Sequence, residues 1–275
     1  FQRDRNRFEG VDPSGKAADL RKPMTGWLGA VGAGLLAAGL SACDLPVRNE
    51  AGDHCRELTY RSNPYVVCSF DAAREDIRLF YTGDDGVPYL QFDALAEAVE
   101  ADGGTLVFAM NGGMYHDDRR PVGYLRTGSG DTATVNTNDG PGNFHMKPNG
   151  VFWIDEGKAG VSVSEAYLEA GIDPDYATQS GPMLVIDGDI HPSINADGTS
   201  RKRRNGVGVS EDGETVYFAI SDGAVTFHEF ASLFRDRLDA PNALFLDGQV
   251  SRLYAPMIGR NEPGLDMGPI VGVVE

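Results

Sequence analysis

Phe108-Ala109-Met110-Asn111-Gly112-Gly113-Met114-Tyr115 carries an apolar run straight into an amide and two glycines. A run bounded in this way reads as a buried strand that stops at a tight loop. The same grammar recurs in Asn143-Phe144-His145-Met146-Lys147-Pro148-Asn149-Gly150-Val151-Phe152 and in Gln179-Ser180-Gly181-Pro182-Met183-Leu184-Val185. It recurs again in Leu246-Asp247-Gly248-Gln249-Val250-Ser251, preceded at a distance by Arg203-Arg204-Asn205-Gly206-Val207-Gly208. Working outward, strands are expected over Thr105–Met110, Gly150–Ile154, Pro182–Ile186, Gly206–Val209, Thr215–Ile220, Ala243–Leu246 and Ile270–Val274, with a short one at Val161–Val163. Helical spacing groups Phe92, Leu95, Ala96 and Val99 on one face of Phe92–Val99, and Phe230, Leu233, Phe234 and Leu238 on one face of Glu229–Leu238. Strands outnumber short, scattered helices. The expected class is therefore α+β, a single strand-rich domain with a mixed sheet, rather than a regular parallel α/β sheet.

Hydrophobic residues at 41% and charged residues at 24% are ordinary globular values and exclude wholesale disorder. With 24 Lys plus Arg against 41 Asp plus Glu, the net charge is −17, which repels phosphate backbones and anionic lipid. A nucleic-acid partner is excluded on that ground. A local basic pocket for one anionic substrate is not.

Arg21 and Lys22 precede an apolar stretch from Trp27 to Leu40. At about 1.5 Å per residue it falls short of the roughly 30 Å of bilayer hydrocarbon, and it suits a signal-peptide core. It ends in Leu40-Ser41-Ala42-Cys43, which resembles the bacterial lipoprotein cleavage box, where the cysteine thiol is diacylglycerated. Residues 1–43 are accordingly read as a lipoprotein signal peptide, with Phe1 allowing an extended start, 44–54 as a tether and 55–275 as the domain. The expected location is a bacterial cell envelope, facing the periplasm or exterior. The bilayer is then a partner through acylated Cys43, at about 0.8 kcal/mol per buried methylene. A plain secretory signal with an incidental cysteine is the alternative. Cys55 and Cys68 remain, and an even remainder in an oxidising compartment suggests one disulfide, worth roughly 3 kcal/mol in the chain-entropy model. Two free thiols are the alternative.

Paired glycines let a backbone approach a ligand, and Asn and Gln amides can donate to and accept from sugar hydroxyls. Arg204 and Lys147 suit phosphate, the first as a fork and the second as a point charge, and Asp247 at a strand end is placed as an exposed carboxylate. Each signal alone is weak: Asn-Gly-Gly and Asp-Gly are usually turns, and Arg203-Arg204 would usually be a solvated pair. The five histidines show no HExxH or paired spacing, so a zinc-hydrolase site is not expected. Asp117 and Asp118 read as a solvated loop, with Ca²⁺ binding through their oxygens left open; no cofactor is otherwise implied. Phe144, Phe152 and Trp153 are expected in the core rather than stacked on a sugar.

In order, Asn-Gly-Gly-Met-Tyr, Lys-Pro-Asn-Gly-Val-Phe, Gln-Ser-Gly-Pro-Met-Leu-Val, Arg-Asn-Gly-Val-Gly and Leu-Asp-Gly-x-x-Ser resemble the phosphodiester glycosidase family. That family includes bacterial relatives of the lysosomal uncovering enzyme. The resemblance spans about residues 104–255 and implies hydrolysis of a sugar–phosphate linkage at the anomeric carbon. Carried over, Asn111, Gly112 and Gly113 match the family's first loop, and Gln179, Ser180, Gly181 and Pro182 match its Gln-Ser/Thr-Gly-Pro turn. Arg204 matches its arginine, and Asp247, Gly248 and Ser251 match its Asp-Gly element. Gln249 departs from a Gly-rich pattern, which favours a bacterial glycan over the mammalian-type substrate. The roles expected are Asp247 as nucleophile or base, Arg204 with Lys147 on the phosphate, and Asn111, Asn149, Asn205, Gln179, Ser180, Gly181, Gly248 and Ser251 around the sugar. The competing class is a non-catalytic glycan-binding or envelope-assembly lipoprotein on the same fold.

Overall fold

Four phenylalanines from three different sheets meet at the centre of the molecule. Phe218 lies 5.0 Å from Phe108 and 5.8 Å from Phe152, and Phe70 lies 5.1 Å from Phe108. The computed structural model describes residues 54–248 and 250–275. All of these fall within one compact unit, Val47–Glu275.

The largest sheet has seven strands in the order Cys55–Tyr60, Asn63–Asp71, Thr215–Ser221, Asn205–Val209, Asn242–Phe245, Met183–Ile186, Asp189–Ile190. A second runs Arg260–Asn261, Leu253–Ala255, Leu106–Asn111, Ile270–Val274, Asp76–Phe80. The third runs Gly130–Ala133, Leu125–Thr127, Tyr176–Ser180, Gly150–Asp155, Lys158–Val163. The strand-rich α+β class expected from sequence is found, with the strands divided among three sheets whose named pairs are all antiparallel.

The two-residue period of a strand explains how one sheet serves two cores. Along Asn63–Asp71, Val66, Cys68 and Phe70 face the central aromatic cluster, while Tyr65 and Val67 face a second cluster on the opposite side. That second cluster is closed by the helix Phe227–Ser232 through Phe230 and Ala231, and by Leu233 and Phe234 in the π-helical turn that follows. The helix begins two residues before the expected Glu229 because Thr226 and Glu229 form a capping box. A third cluster packs Phe92, Leu95 and Val99 of the helix Phe92–Ala101 against Ala109 and Ile270 of the second sheet. Phe152 and Phe144 are buried, as expected.

Cys55 and Cys68 are directly opposed on neighbouring strands and form a disulfide, so the free-thiol alternative is excluded. The signal-peptide core and Cys43 lie outside the described residues, as does all of the tether except His54. Among the described residues, no helix is long and apolar enough to cross a membrane.

Candidate active site

Asn111 ends its strand completely buried, and its amide is consumed inside the fold. Its Nδ2 donates to Asn205 Oδ1 (3.3 Å), its carbonyl accepts from Asn205 Nδ2 (3.1 Å), and its Oδ1 accepts from the Arg252 N–H (3.0 Å). Asn205 Oδ1 also accepts from the main-chain N–H of Asp247 (3.0 Å). Two asparagines thus clamp the central strand, its neighbour in another sheet and the loop that carries Asp247. Ser180 Oγ donates to the carbonyl of Leu246 (2.7 Å), and Ser251 Oγ donates to the carbonyl of Asp247 (2.9 Å). On the other side, the N–H of Gly113 donates to Thr178 Oγ1 (3.2 Å).

The segments carrying these motifs therefore meet around Asp247. Two of their glycines are there for space. A Cβ on Gly113 would overlap the carbonyl oxygen of Gln179, and one on Gly248 would come within 2.7 Å of the Phe245 ring.

Asp247 is only 8% exposed. Tyr115 lies close enough to feel its charge: burial first, then Asp247, pushes the phenol up to about 12. The Tyr115 hydroxyl donates to the carbonyl of Asp266 (3.2 Å). Beside Gly248 opens a cavity of about 420 Å³, lined also by Arg203, Ser251, Arg252, Glu262 and Leu265. Arg203 grips Glu262 with both Nη atoms (2.8 and 2.7 Å), and Arg260 reaches the same carboxylate. Burial alone would raise the Glu262 carboxyl, but the hydrogen bonds from the two arginines outweigh it and hold it below the usual glutamate range.

The sign of that shift gives a prediction. A depressed folded-state value contributes stability above the unfolded glutamate value of about 4.3, and that contribution disappears as pH falls through the folded value. Glu262→Gln is therefore expected to be less stable than wild type at pH 7, with the two converging below about pH 4. Urea midpoints at pH 7, 5 and 3 measure it; a gap that is constant with pH would show that the charge contributes nothing.

Arg204 is placed differently from what its sequence suggests. It is 2% exposed, with its guanidinium 3.6 Å over the Phe227 ring and 5.5 Å from Phe245. Nε donates to the Val225 carbonyl (3.0 Å) and Nη2 to that of Ser200 (3.2 Å). Among the described residues no carboxylate pairs with it, and burial lowers it to about 10, so it stays cationic at neutral pH. Ser200 and Phe227 also line a smaller cavity of about 80 Å³.

Other expected contacts are engaged within the protein. Gln179 is 1% exposed; its Oε1 accepts from the N–H groups of Tyr124 (3.0 Å) and Asn136 (2.8 Å). Its Nε2 donates to the Asn136 carbonyl (2.9 Å) and Ser164 Oγ (2.8 Å), which fills the amide. In this structure the Gln179 and Asn111 side chains, expected around the sugar, are instead bonded to neighbouring loops and strands. Lys147 pairs with Asp139 (3.2 Å) and donates to the Thr137 carbonyl. Asn149 Nδ2 donates to the Phe144 carbonyl (3.2 Å), and its Oδ1 is buried with no partner among the described residues. Asp118 is exposed and held below its usual range by hydrogen bonds from Arg120. Gln249 lies outside the described residues.

Sequence reasoning missed Arg203, Arg252 and Glu262. Arg203 was hidden as half of a seemingly solvated pair, and Glu262 sits in no motif. Only the assembled cavity brings them together.

Residues 104–270 match the phosphodiester glycosidase family, which is more than half of the chain. The chain is also 32% identical over 213 residues to the uncharacterised protein YigE of Escherichia coli K12, covering 76% of this chain and 81% of that one. The chain belongs to the phosphodiester glycosidase family. Its fold is similar to that of the zebrafish N-acetylglucosamine-1-phosphodiester alpha-N-acetylglucosaminidase catalytic domain, auto-inhibited by its pro-peptide. That match has a TM-score of 0.57 at 15% identity, covering 80% of this chain and 81% of that one. A hypothetical protein from Synechocystis matches with a TM-score of 0.52 at 12% identity, over 80% of this chain and 61% of that one. Those two likenesses concern the fold alone; the phosphodiester glycosidase assignment rests on the family match and on YigE.

Proposed function

We propose that this phosphodiester glycosidase family member is an exported, lipid-anchored hydrolase that cleaves sugar 1-phosphodiesters at the anomeric carbon. The observation that carries the reading is that the segments of Asn111, Ser180 and Asn205 are bonded to the loop that carries Asp247, whose neighbours Gly248 and Ser251 line a 420 Å³ cavity. Asp247 either takes a proton from a water attacking C1 or attacks C1 itself. In both cases the C1–O bond breaks and its electron pair leaves on the phosphate oxygen; in the second, water then attacks C1 of the glycosyl ester, releasing the sugar and restoring the Asp247 carboxylate.

Ordinary glycosidases need a second carboxyl as acid, because a sugar alkoxide leaves poorly. A phosphomonoester, with a second pKa near about 6, departs largely unprotonated. The second carboxylate in this cleft, Glu262, is held ionised by Arg203 and Arg260 and is unsuited to donate a proton. That fits a leaving group needing none. Arg204, a buried cation with no carboxylate partner among the described residues, supplies positive potential behind Gly248 through the shared Phe245 wall.

Support for export and anchoring comes from the apolar stretch ending at Cys43 and from the disulfide, which belongs to oxidising compartments. The zebrafish enzyme's name makes N-acetylglucosamine 1-phosphate diesters the first substrates to try, and Gln249 directs the search toward bacterial glycans.

The test is incubation of the protein with N-acetylglucosamine 1-phosphate methyl diester and related sugar phosphodiesters in H₂¹⁸O, followed by NMR of the anomeric protons. Release of free sugar carrying the label is expected. Label in the phosphate would mean P–O cleavage and would overturn the reading. Chemical-shift changes without turnover across the panel would replace it with the glycan-binding alternative.

A further inference from the structure

We propose that His54, Glu75 and Glu275 form a binding site for a divalent transition-metal ion of the zinc class, separate from the Asp247 cleft. One ligand atom from each residue lies within 4.8 Å of the other two. The three come from different segments, each fixed by its own bonds. His54 adjoins the Cys55–Cys68 disulfide, its carbonyl accepts from the Ser69 N–H (2.9 Å), and its ring stacks on Phe70 at 4.9 Å. The N–H of Glu75 donates to the Asp71 carbonyl (2.9 Å) in the turn before Asp76–Phe80. The main chain of Glu275 exchanges two hydrogen bonds with Thr105 (2.6 and 2.9 Å).

The imidazole is oriented as metal-ligating histidines are. Nδ1 lies 3.4 Å from the Ser69 carbonyl, which can only accept, so Nδ1 carries the proton. In the neutral ring this tautomer leaves the Nε2 lone pair facing Glu75 Oε1, 3.9 Å away. A lone pair facing a carboxylate, with a second carboxylate beside it, is unfavourable unless a cation lies between them. Ligand bonds of about 2.1 Å in a tetrahedral site put donors about 3.4 Å apart, so small rotations of the partly buried His54 and Glu75 and the exposed Glu275 close the present spacing. One imidazole nitrogen with two carboxylates suits zinc or manganese, whereas calcium and magnesium take oxygen alone. Two carboxylates also balance the charge of a divalent ion. The rival explanation is an imidazolium paired with Glu75.

Titration of the untagged, chelator-treated chain with ZnCl₂ or MnCl₂ by calorimetry decides between them. One ion per chain is expected, with a rise in Tm. His54→Ala and the isosteric Glu75→Gln are each expected to weaken Kd at least about 10-fold, while the exposed His116→Ala leaves it unchanged. Imidazole ¹⁵N spectra give a readout that needs no variant: zinc is expected to shift His54 Nε2 and leave Nδ1 protonated. No binding of either ion, or binding that survives both substitutions, would overturn the proposal. Activity toward sugar phosphodiesters is a separate matter, so this site and the hydrolase reading can fail independently.

Discussion

Asp247→Asn is expected to lower kcat/KM on a sugar 1-phosphodiester by at least about 10²-fold, the size of a positioned base or nucleophile, and to leave stability nearly unchanged. The asymmetry comes from how the residue is seated. Its main-chain N–H donates to Asn205 Oδ1 and its carbonyl accepts from Ser251 Oγ, and an asparagine preserves both bonds. The isosteric change keeps the shape of the side chain while removing its charge and turning one acceptor oxygen into an NH₂ donor. A second readout follows from the neighbouring phenol: Tyr115, held up at about 12 by burial and then by Asp247, is expected to titrate lower in the variant. Turnover in the sugar NMR assay, urea midpoints and a tyrosine absorbance titration give the three measurements. Near-wild-type turnover would remove Asp247 from the reaction; a large stability loss would make it a structural residue.

Much of this architecture was legible in the chain. Apolar runs bounded by Gly, Asp or Asn located Leu106–Asn111, Gly150–Asp155, Thr215–Ser221 and Ile270–Val274, because strands buried on both faces read as continuous apolar runs. The first two strands were not legible. Asn63-Pro64-Tyr65 opens with residues that read as a turn, and Cys55–Tyr60 alternates weakly, with only Cys55 fully buried. Gln179 and Ser180 read as a turn but end the strand Tyr176–Ser180, since the bend falls one residue later at Gly181-Pro182. The motif positions were right in order, yet their roles could not be read from residue type. An amide can bind a sugar or lock two strands with the same atoms, and only its neighbours decide which. Asn111 and Asn205 chose each other, from positions 94 residues apart.

Gln179 offers the sharpest test of that distinction. Gln179→Ala is expected to cost about 4 kcal/mol, a large part of the 5–15 kcal/mol that holds a typical domain together. Four partners lose their bonds at once: the N–H groups of Tyr124 and Asn136, the Asn136 carbonyl and Ser164 Oγ. Each buried polar group left unpaired costs about 1–3 kcal/mol, and the sum is tempered where Asn136, only half-buried, finds water. The loop around Asn136 also contributes its carbonyl to Asn149 Nδ2, so loss of the amide loosens the Lys-Pro-Asn-Gly segment with it. Urea unfolding should show a lower midpoint at constant slope, and turnover should fall only in proportion to the folded fraction. A protein of wild-type stability with a raised KM would mean the opposite: that the loops hold without the amide, and that Gln179 turns outward to meet the sugar.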